Sequence, residues 1–540
     1  MTGAEAMAKC LMEEKVEILF GYPGVAICPF FDALGKTDIR SVLVRTEQNA
    51  GHAASGYART TGRVGVCAVT SGPGATNLLT GIATAFADSV PLVCISGQVE
   101  TDLLGSDVFQ EADITGAAES FVKYSYIVKD VNDIPRVFKE AFHIANTGRK
   151  GPVLIDMPID IQLAKIRNFE YPEEVSLRTY KPTVKGHIQQ IRKAMQELTK
   201  AERPLILAGG GIFLSRAKKE LKEFSEKHQI PVVSTMMGIG VLPTSHELYF
   251  GMIGNNGCLA ANRAMKECDV LMMVGARVAD RAVASPDVIM ENKTLIHIDV
   301  DPAEIGKNVG PAIPIVGDAK AIFRDLEEIP IETDTKAWLQ SLNEYRKVPS
   351  GRKAPKEHVD PAVFIQKLSL AMEEDGIYVA DVGQNQIWSC RNVNVRKGRF
   401  FTTGGMGTMG YSIPAAIGAK LADMKKQVVA VCGDGAFQMS MMELAVIMQE
   451  KIPLKIVVMK NNYLGLVREF QHFHLDDAYE MVELGDYPRL DRIAEAYDIE
   501  YFLADSMDGI DELIRRFLDA KGPALLEARP DPMDTVKLAR

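Results

Sequence analysis

The sequence predicts an α/β protein of three units, each built on a parallel sheet. Three observations carry this reading. Short apolar, β-branched runs alternate with helix-length segments along the whole chain. Two polar, proline-bearing stretches interrupt the alternation, "NFEYPEEVSLRTYKPTVKG" (168–186) and "EYRKVPSGRKAPKEHVD" (344–360). Two apolar runs of one βαβ unit stop in an acid and an amide, at the strand ends where parallel sheets bind ligands.

The first unit carries predicted strands at 64–69, 91–96 and 152–157. The second carries them near 205–208, 270–274 and 295–300. In the third, the runs 428–432 and 454–459 read as buried strands. Between these two, Met441, Leu444, Ala445 and Met448 recur at helical spacing, so the unit is βαβ. At the N-terminus Ala4, Met7, Ala8 and Leu11 mark an amphipathic helix. No short tandem repeat or low-complexity tract is present.

Asp434 and Asn461 stand at the carboxyl ends of the third unit's two strands. A carboxylate and an amide oxygen suit Mg2+, which favours oxygen ligands and keeps places for phosphate. Gly433 and Gly435 free the backbone to approach a diphosphate at a helix start. Each motif alone also reads as an ordinary turn. Together they ask for a Mg-diphosphate.

Other motifs are weaker alone. Glu47 follows an apolar stretch at 42–44 and precedes a helix-like segment; a single Glu there is also an ordinary cap. "TSGPGATN" (70–77) is a weak anion-loop signal. "AGGGIF" (208–213) follows a strand and suits a phosphate-bearing cofactor, but lacks the G-x-G-x-x-G spacing of a nicotinamide site. His52, His472 and His474 show no metal-ligand spacing and read as core or surface residues.

Composition bounds the rest. The 540 residues suit about three domains. The chain is 47% hydrophobic and 24% charged, as expected of a globular protein with large cores. A net charge of −10 without a basic stripe argues against nucleic-acid binding. No run is long enough to span a membrane, and residues 1–15 do not read as a signal peptide. The eight cysteines are scattered, several inside apolar runs, as in a reduced cytoplasmic protein.

With Glu47 added to "GDG…NN", the chain resembles the thiamin diphosphate enzymes. "GYPG", "EQNAGHAASGYAR", "TSGPGATNLLTGIATAFADSVPLV", "FQEADITG", "GPVLIDMP", "HIDVDPAEIGKN" and "GTMGYSIPAAIGAK" extend the match almost end to end. They resemble the catalytic subunit of acetolactate synthase (acetohydroxyacid synthase). The resemblance implies three doubly wound parallel-sheet domains: pyrimidine-binding (1–167), FAD-binding-like (186–343) and diphosphate/Mg-binding (361–540). It implies a carboligase that decarboxylates pyruvate on thiamin diphosphate and joins the two-carbon unit to a second 2-oxo acid, in branched-chain amino acid biosynthesis. The ligation is redox-neutral, so FAD would be structural or vestigial. A homodimer or homotetramer is expected, with a possible small regulatory subunit.

Roles follow by position. Glu47 resembles the glutamate that hydrogen-bonds N1′ of the aminopyrimidine. Met409 resembles the apolar wedge that bends the cofactor, and the Gly407 carbonyl would accept from the 4′-amino group. Asp434, Asn461 and the Tyr463 backbone would bind Mg2+. Gln384, Asn385, Gly433, Gly435 and Ala436 fall at the diphosphate. Phe109, Gln110, Lys123 and Arg281 match active-site positions. Gly209, Gly210, Gly211, Thr235, Gly275, Arg277, Asp299 and Asp318 fall on the flavin region. Val25 and Phe470 would face the substrate.

The chain also departs from the family's pattern. Val25 replaces a usual glycine, Thr46 and Asn385 usual histidines, and Phe470 a tryptophan linked to preference for 2-oxobutyrate. "GNNG" (254–257) and Ala279 alter the flavin region, and the tail after Pro532 is short. These changes leave acceptor choice, FAD affinity and feedback control open. Two alternatives stand beside this reading. A glyoxylate carboligase-like enzyme shares "YLGLVREFQHF" and "GVAICPFFDAL", but that enzyme has Val where this chain has Glu47. A non-catalytic cofactor-binding paralogue is opposed by Glu47, Asp434 and Asn461.

Overall fold

The computed structural model describes residues 1–279, 287–310, 312–348 and 357–536. Three six-stranded sheets organise them, and every strand pair is parallel.

The first sheet holds β1 (Ile18–Tyr22), β2 (Arg40–Leu43), β3 (Gly65–Val69), β4 (Leu92–Gln98), β5 (Tyr124–Ile127) and β6 (Pro152–Pro158), in the order β2-β1-β3-β4-β6-β5. The second holds β7 (Pro204–Ala208), β8 (Val232–Ser234), β9 (Tyr249–Met252), β10 (Val270–Val274), β11 (Thr294–Asp299) and β12 (Ile313–Val316), in the order β12-β11-β10-β7-β8-β9. The third holds β13 (Ile377–Ala380), β14 (Arg399–Phe401), β15 (Val428–Gly433), β16 (Lys455–Met459), β17 (Glu500–Ala504) and β18 (Ala524–Ala528), in the order β14-β13-β15-β16-β18-β17.

Each sheet is covered on both faces, which explains the nearly continuous apolar strands. In β15, Val428, Ala430 and Cys432 enter one core while Val429 and Val431 enter another. β10 divides the same way, with Val270, Met272 and Val274 on one side and Leu271 and Met273 on the other. Period-two alternation places successive side chains on opposite faces.

The first and third sheets repeat one strand order, and the order reverses direction between β1 and β3 and between β13 and β15. The second sheet has the doubly wound order associated with dinucleotide binding, reversing between β7 and β10. Crevices beyond the carboxyl ends of these strand pairs are where such folds bind ligands.

The first and third sheets also share a core. Helix Glu47–Thr61 packs against helix Ser412–Ala422 in a single apolar cluster. Small residues allow the close approach: a Cβ on Gly56 would stand 1.9 Å from the Ala415 carbonyl oxygen, and one on Gly418 1.9 Å from that of Ala53. His52 is buried here, edge-on to Tyr411, and burial pushes its imidazole down to about 3.

Candidate active site

The third sheet places Asp434 and Asn461 side by side. β15 and β16 are neighbours with Gly433 opposite Met459, so the residues just beyond them meet. Asp434 opens helix Asp434–Ser440 and is buried. One carboxylate oxygen accepts from the Asn462 N–H at 2.7 Å, the other from the Gly435 N–H at 3.0 Å. Burial pushes this carboxyl up to about 6, against the opposing pull of those two hydrogen bonds. It makes no salt bridge with a described residue, which leaves a buried anionic oxygen pair suited to a cation. Among the described residues no three His, Cys, Asp or Glu side chains converge as metal ligands. Amide and backbone oxygens would have to complete a site here.

Asn461 supplies that kind of oxygen. Its Oδ1 accepts from the Tyr463 N–H at 3.0 Å, and a carbonyl oxygen has a second lone pair to offer. Its Nδ2 donates to Gln384 Oε1 at 3.0 Å. Gln384 opens helix Gln384–Asn392 and donates in turn to Glu469 and to the Asp534 carbonyl. Tyr463 follows, bridged to Glu483.

The loop before helix Ser412–Ala422 closes this site. Gly407 and Gly410 both have left-handed backbone, at φ +66° and +86°. Met409 lies between them, its Cε 3.3 Å from where a Gly435 Cβ would stand. Gly435 is therefore glycine for space as well as for backbone access. Asp381 fixes the loop from below. It is fully buried just beyond β13, and its carboxylate accepts from the N–H groups of Gly410 at 3.0 Å, Ser412 at 2.7 Å and Val382 at 2.8 Å. Gly433 and Ala436 flank Asp434 on the same turn.

Asn385 is a correction. Its Nδ2 donates to the carbonyls of Asp381 and Val431, and its Oδ1 accepts from Ser389. The amide is spent inside the fold, tying helix Gln384–Asn392 to β13 and β15, and does not face a diphosphate.

The first sheet gathers a second group at its carboxyl ends. Glu47 begins helix Glu47–Thr61, and its Oε2 accepts from Asn77 Nδ2 at 3.0 Å. A Cβ on Gly74 would stand 3.4 Å from Glu47 Oε1, and one on Gly24 2.5 Å from Thr70. Gly72, at φ +58°, lies against the Gln110 backbone. Val25 and Phe109 stand exposed nearby in sequence, after β1 and before Gln110. Lys123 does not join them. It precedes β5, at the amino end of the sheet, and its ammonium donates to the carbonyls of Ile144 and Thr147 and to the Tyr180 hydroxyl. Burial pushes it down to about 7. Its place is a structural tie on the far side of the sheet.

Within one chain these two groups stay apart. Helices Glu47–Thr61 and Ser412–Ala422 run antiparallel, with Gly56 at Ala415, Ala53 at Gly418 and Ser55 bonded to Tyr411. Met409 therefore lies near the C-terminal half of the Glu47 helix. About ten residues at about 1.5 Å each put roughly 15 Å between Glu47 and that end.

The second sheet forms a cavity of about 460 Å³. Gly210, Gly211 and Thr235 line it with Gly275, Arg277, Asp299 and Asp318. Gly209 supports the wall, since a Cβ there would meet the Gly275 carbonyl at 2.1 Å. Burial raises the Asp299 carboxyl to about 6. Arg277 donates to the Ala87 carbonyl at 2.6 Å. Arg149 and Lys150 come from the first unit and Gly404 and Gly405 from the third. Arg281 lies outside the described residues. Phe470, on helix Gly465–His474, is more than half exposed, its ring 4.7 Å from that of His474 and tilted to it by 36°.

Sequence reasoning missed Asp381. The signal that found Asp434, an acid ending an apolar run, is present there too at 377–381. It also missed Arg149, which reaches Glu304 at 2.9 Å beside the cavity.

Three family models match the chain: the thiamine pyrophosphate enzyme N-terminal TPP-binding domain over 1–117, the central domain over 191–326 and the C-terminal TPP-binding domain over 381–528. A probable acetolactate synthase large subunit of Methanocaldococcus jannaschii is 43% identical, over all of this chain and 93% of its own. The acetolactate synthase large subunit of Corynebacterium glutamicum is 44% identical over 90% of this chain and 80% of its own. That of Haemophilus influenzae is 41% identical over 92% of this chain and 88% of its own.

Proposed function

The chain belongs to the thiamine pyrophosphate enzymes of the acetolactate synthase type, and from that premise we propose how its own residues serve the reaction. The substrates are pyruvate and a second 2-oxo acid, and the product is a 2-hydroxy-2-methyl-3-oxo acid. Bound thiamin diphosphate supplies an electron sink for loss of CO2 from the first acid.

One observation carries the assignment: the buried carboxylate of Asp434 stands beside the amide of Asn461 at neighbouring strand ends, with glycine backbone around it. The donor set fits Mg2+, with Asp434, Asn461 and the Tyr463 carbonyl as protein ligands. Gln384 and the backbone of Gly433, Gly435 and Ala436 would hold the diphosphate. Met409 would shape the cofactor's bend, and the Gly407 carbonyl would accept from its amino group. Glu47 would hold a proton at N1′ of the aminopyrimidine. Val25, Phe109, Gln110, Arg281 and Phe470 would face the two acids.

The roughly 15 Å between Glu47 and the Met409 loop supports a homodimer or higher homo-oligomer. In it, the Glu47 end of one chain would meet the Asp434 end of another. Relatives named large subunits support a small regulatory partner as well. The 460 Å³ cavity lies at the strand-order reversal of the second sheet and supports a nucleotide-bearing cofactor, which we assign to FAD. No helix of the described residues is long and apolar enough to cross a membrane. We place the enzyme in the cytoplasm.

The test is direct. Purified protein with thiamin diphosphate, Mg2+ and pyruvate should form acetolactate. Turnover of glyoxylate instead, or of neither acid, would overturn the reading.

A further inference from the structure

Arg59 and Arg399 come from different units and meet at the junction of all three. Arg59 lies on helix Glu47–Thr61, and Arg399 begins β14. Both line one cavity of about 50 Å³, together with Phe213 and Gly210 of the second unit. The Arg59 guanidinium donates to Asp88 at 2.9 Å and to the Thr402 carbonyl at 2.7 Å. Its Nε is buried and has no hydrogen-bond partner. The Nε of Arg399 is buried and unpartnered in the same way. Arg399 makes no ion pair among the described residues; its guanidinium lies 4.0 Å over the Phe213 ring and 5.1 Å from that of Phe401.

The local charge does not balance. Asp88 is the acid lining this cavity, and it is already committed to Arg59 and to the N–H groups of Gly404 and Gly405. Arg399 is pushed down to about 9, first by burial and then by the charge of Arg59. Lys218 is pushed down to about 8, first by burial and then by Arg399. Phenyl faces soften such a charge but do not supply a hydrogen-bond acceptor. The Arg399 side chain is half-buried, so water reaches part of its guanidinium, but its Nε and that of Arg59 are cut off from it. A water could accept from the two Nε–H groups; an anion would accept from both and also offset the excess positive charge of the arginine pair.

We propose that this junction binds one small inorganic anion of halide size, held between the Nε–H groups of Arg59 and Arg399. The cavity is too small for a nucleotide. It adjoins the larger cavity, sharing Asp88, Gly210, Leu214, Met236 and Met237 with it. Its walls come from all three units, so the anion would fasten them together and stabilise the folded chain by mass action.

The test uses the full-length protein at constant ionic strength, with sodium gluconate exchanged for sodium chloride or sodium phosphate. Wild type should show a saturable rise in Tm with chloride, on the order of a few degrees, and a smaller one with phosphate. Arg399→Met should lose that rise, because one of the two Nε–H donors is gone. A chloride response retained by Arg399→Met would overturn the proposal. Bromide-soaked wild-type crystals give a test independent of any variant. An anomalous peak between the two Nε atoms is expected, and its absence would overturn the site. A peak displaced by saturating ADP would also overturn it, because the position would then belong to a nucleotide's phosphate.

Discussion

Gly56 lies against the backbone carbonyl of Ala415, so close that a Cβ added to it would stand 1.9 Å from the oxygen. This contact sets how the Glu47 helix sits on the Ser412 helix. Gly56→Val should therefore force the two helices apart. Overpacking of this kind costs about 1–3 kcal/mol, and more where backbone is the obstacle. Helix propensity would gain only about 0.5 kcal/mol from losing the glycine. A Tm equal to that of the parent would show that the helices separate without cost.

Glu47→Gln should slow proton exchange at C2 of bound thiamin diphosphate by about 10²–10⁴-fold. The amide cannot pass a proton to N1′. Diphosphate affinity should persist, because Glu47 lies on a different sheet from Asp434. Hydrogen–deuterium exchange read by NMR gives the first quantity and calorimetric titration the second. An unchanged exchange rate contradicts the assigned role.

The carboxyl of Asp434, raised to about 6 by burial, sets a pH dependence. On the proposed assignment, Mg2+ would take the ionised form. Affinity for Mg-thiamin diphosphate should therefore climb as pH rises through about 6 and level off above it. The cofactor-free protein should show the opposite sign. A carboxyl whose folded pKa is raised contributes stability that is lost as pH rises through that value. Asp434→Ala should remove both dependences and most of the Mg-dependent affinity. Titrations from pH 5 to 7 check this, and a parent curve flat across that range would refute it.

Asp381→Asn should loosen the loop that carries Met409. An amide offers one acceptor oxygen where the carboxylate offers two, and it turns N–H toward the donors of Gly410 or Ser412. A buried unsatisfied donor costs about 1–3 kcal/mol. Stability by urea titration should fall by that order, and thiamin diphosphate affinity should fall with it. Lost stability with unchanged cofactor affinity would confine Asp381 to a purely structural part.

Phe470 should give a weak preference between acceptors. Its exposed ring offers less apolar contact than an indole, and one methylene in an apolar pocket is worth about 1–3 kcal/mol at best. With pyruvate and 2-oxobutyrate present together, acetolactate should form in competition with acetohydroxybutyrate. Phe470→Trp should shift the ratio toward the latter. A strong excess of acetohydroxybutyrate from the parent would defeat the prediction.

The positions of Asp434, Asn461 and Glu47 at the ends of their elements were legible without coordinates because each ends or follows a local apolar pattern. Strand, turn and helix start lie within a few residues of one another there, so chain order alone implies which end of a sheet they occupy. The three-unit α/β class was legible for the same reason. Lys123 was misread because a motif match does not say which end of a strand a residue occupies; it precedes β5 and so falls at the amino end of the sheet. Asn385 was misread because its direction depends on the carbonyls of Asp381 and Val431, which long-range pairing brings to it.

The sequence by itself determined the elements, their alternation and the polar residues at their ends, since these follow from periodicity and local backbone preference. Only the tertiary structure decided the strand orders, including the one repeated in the first and third sheets. It alone set Glu47 and Met409 at opposite ends of one helix pair, and it alone brought Arg59 to Arg399. The physical reason is that an apolar strand suits any interior place in a parallel sheet. Which neighbours it takes is settled by close packing across many residues, as at Gly56 and Gly418, and no local pattern encodes that.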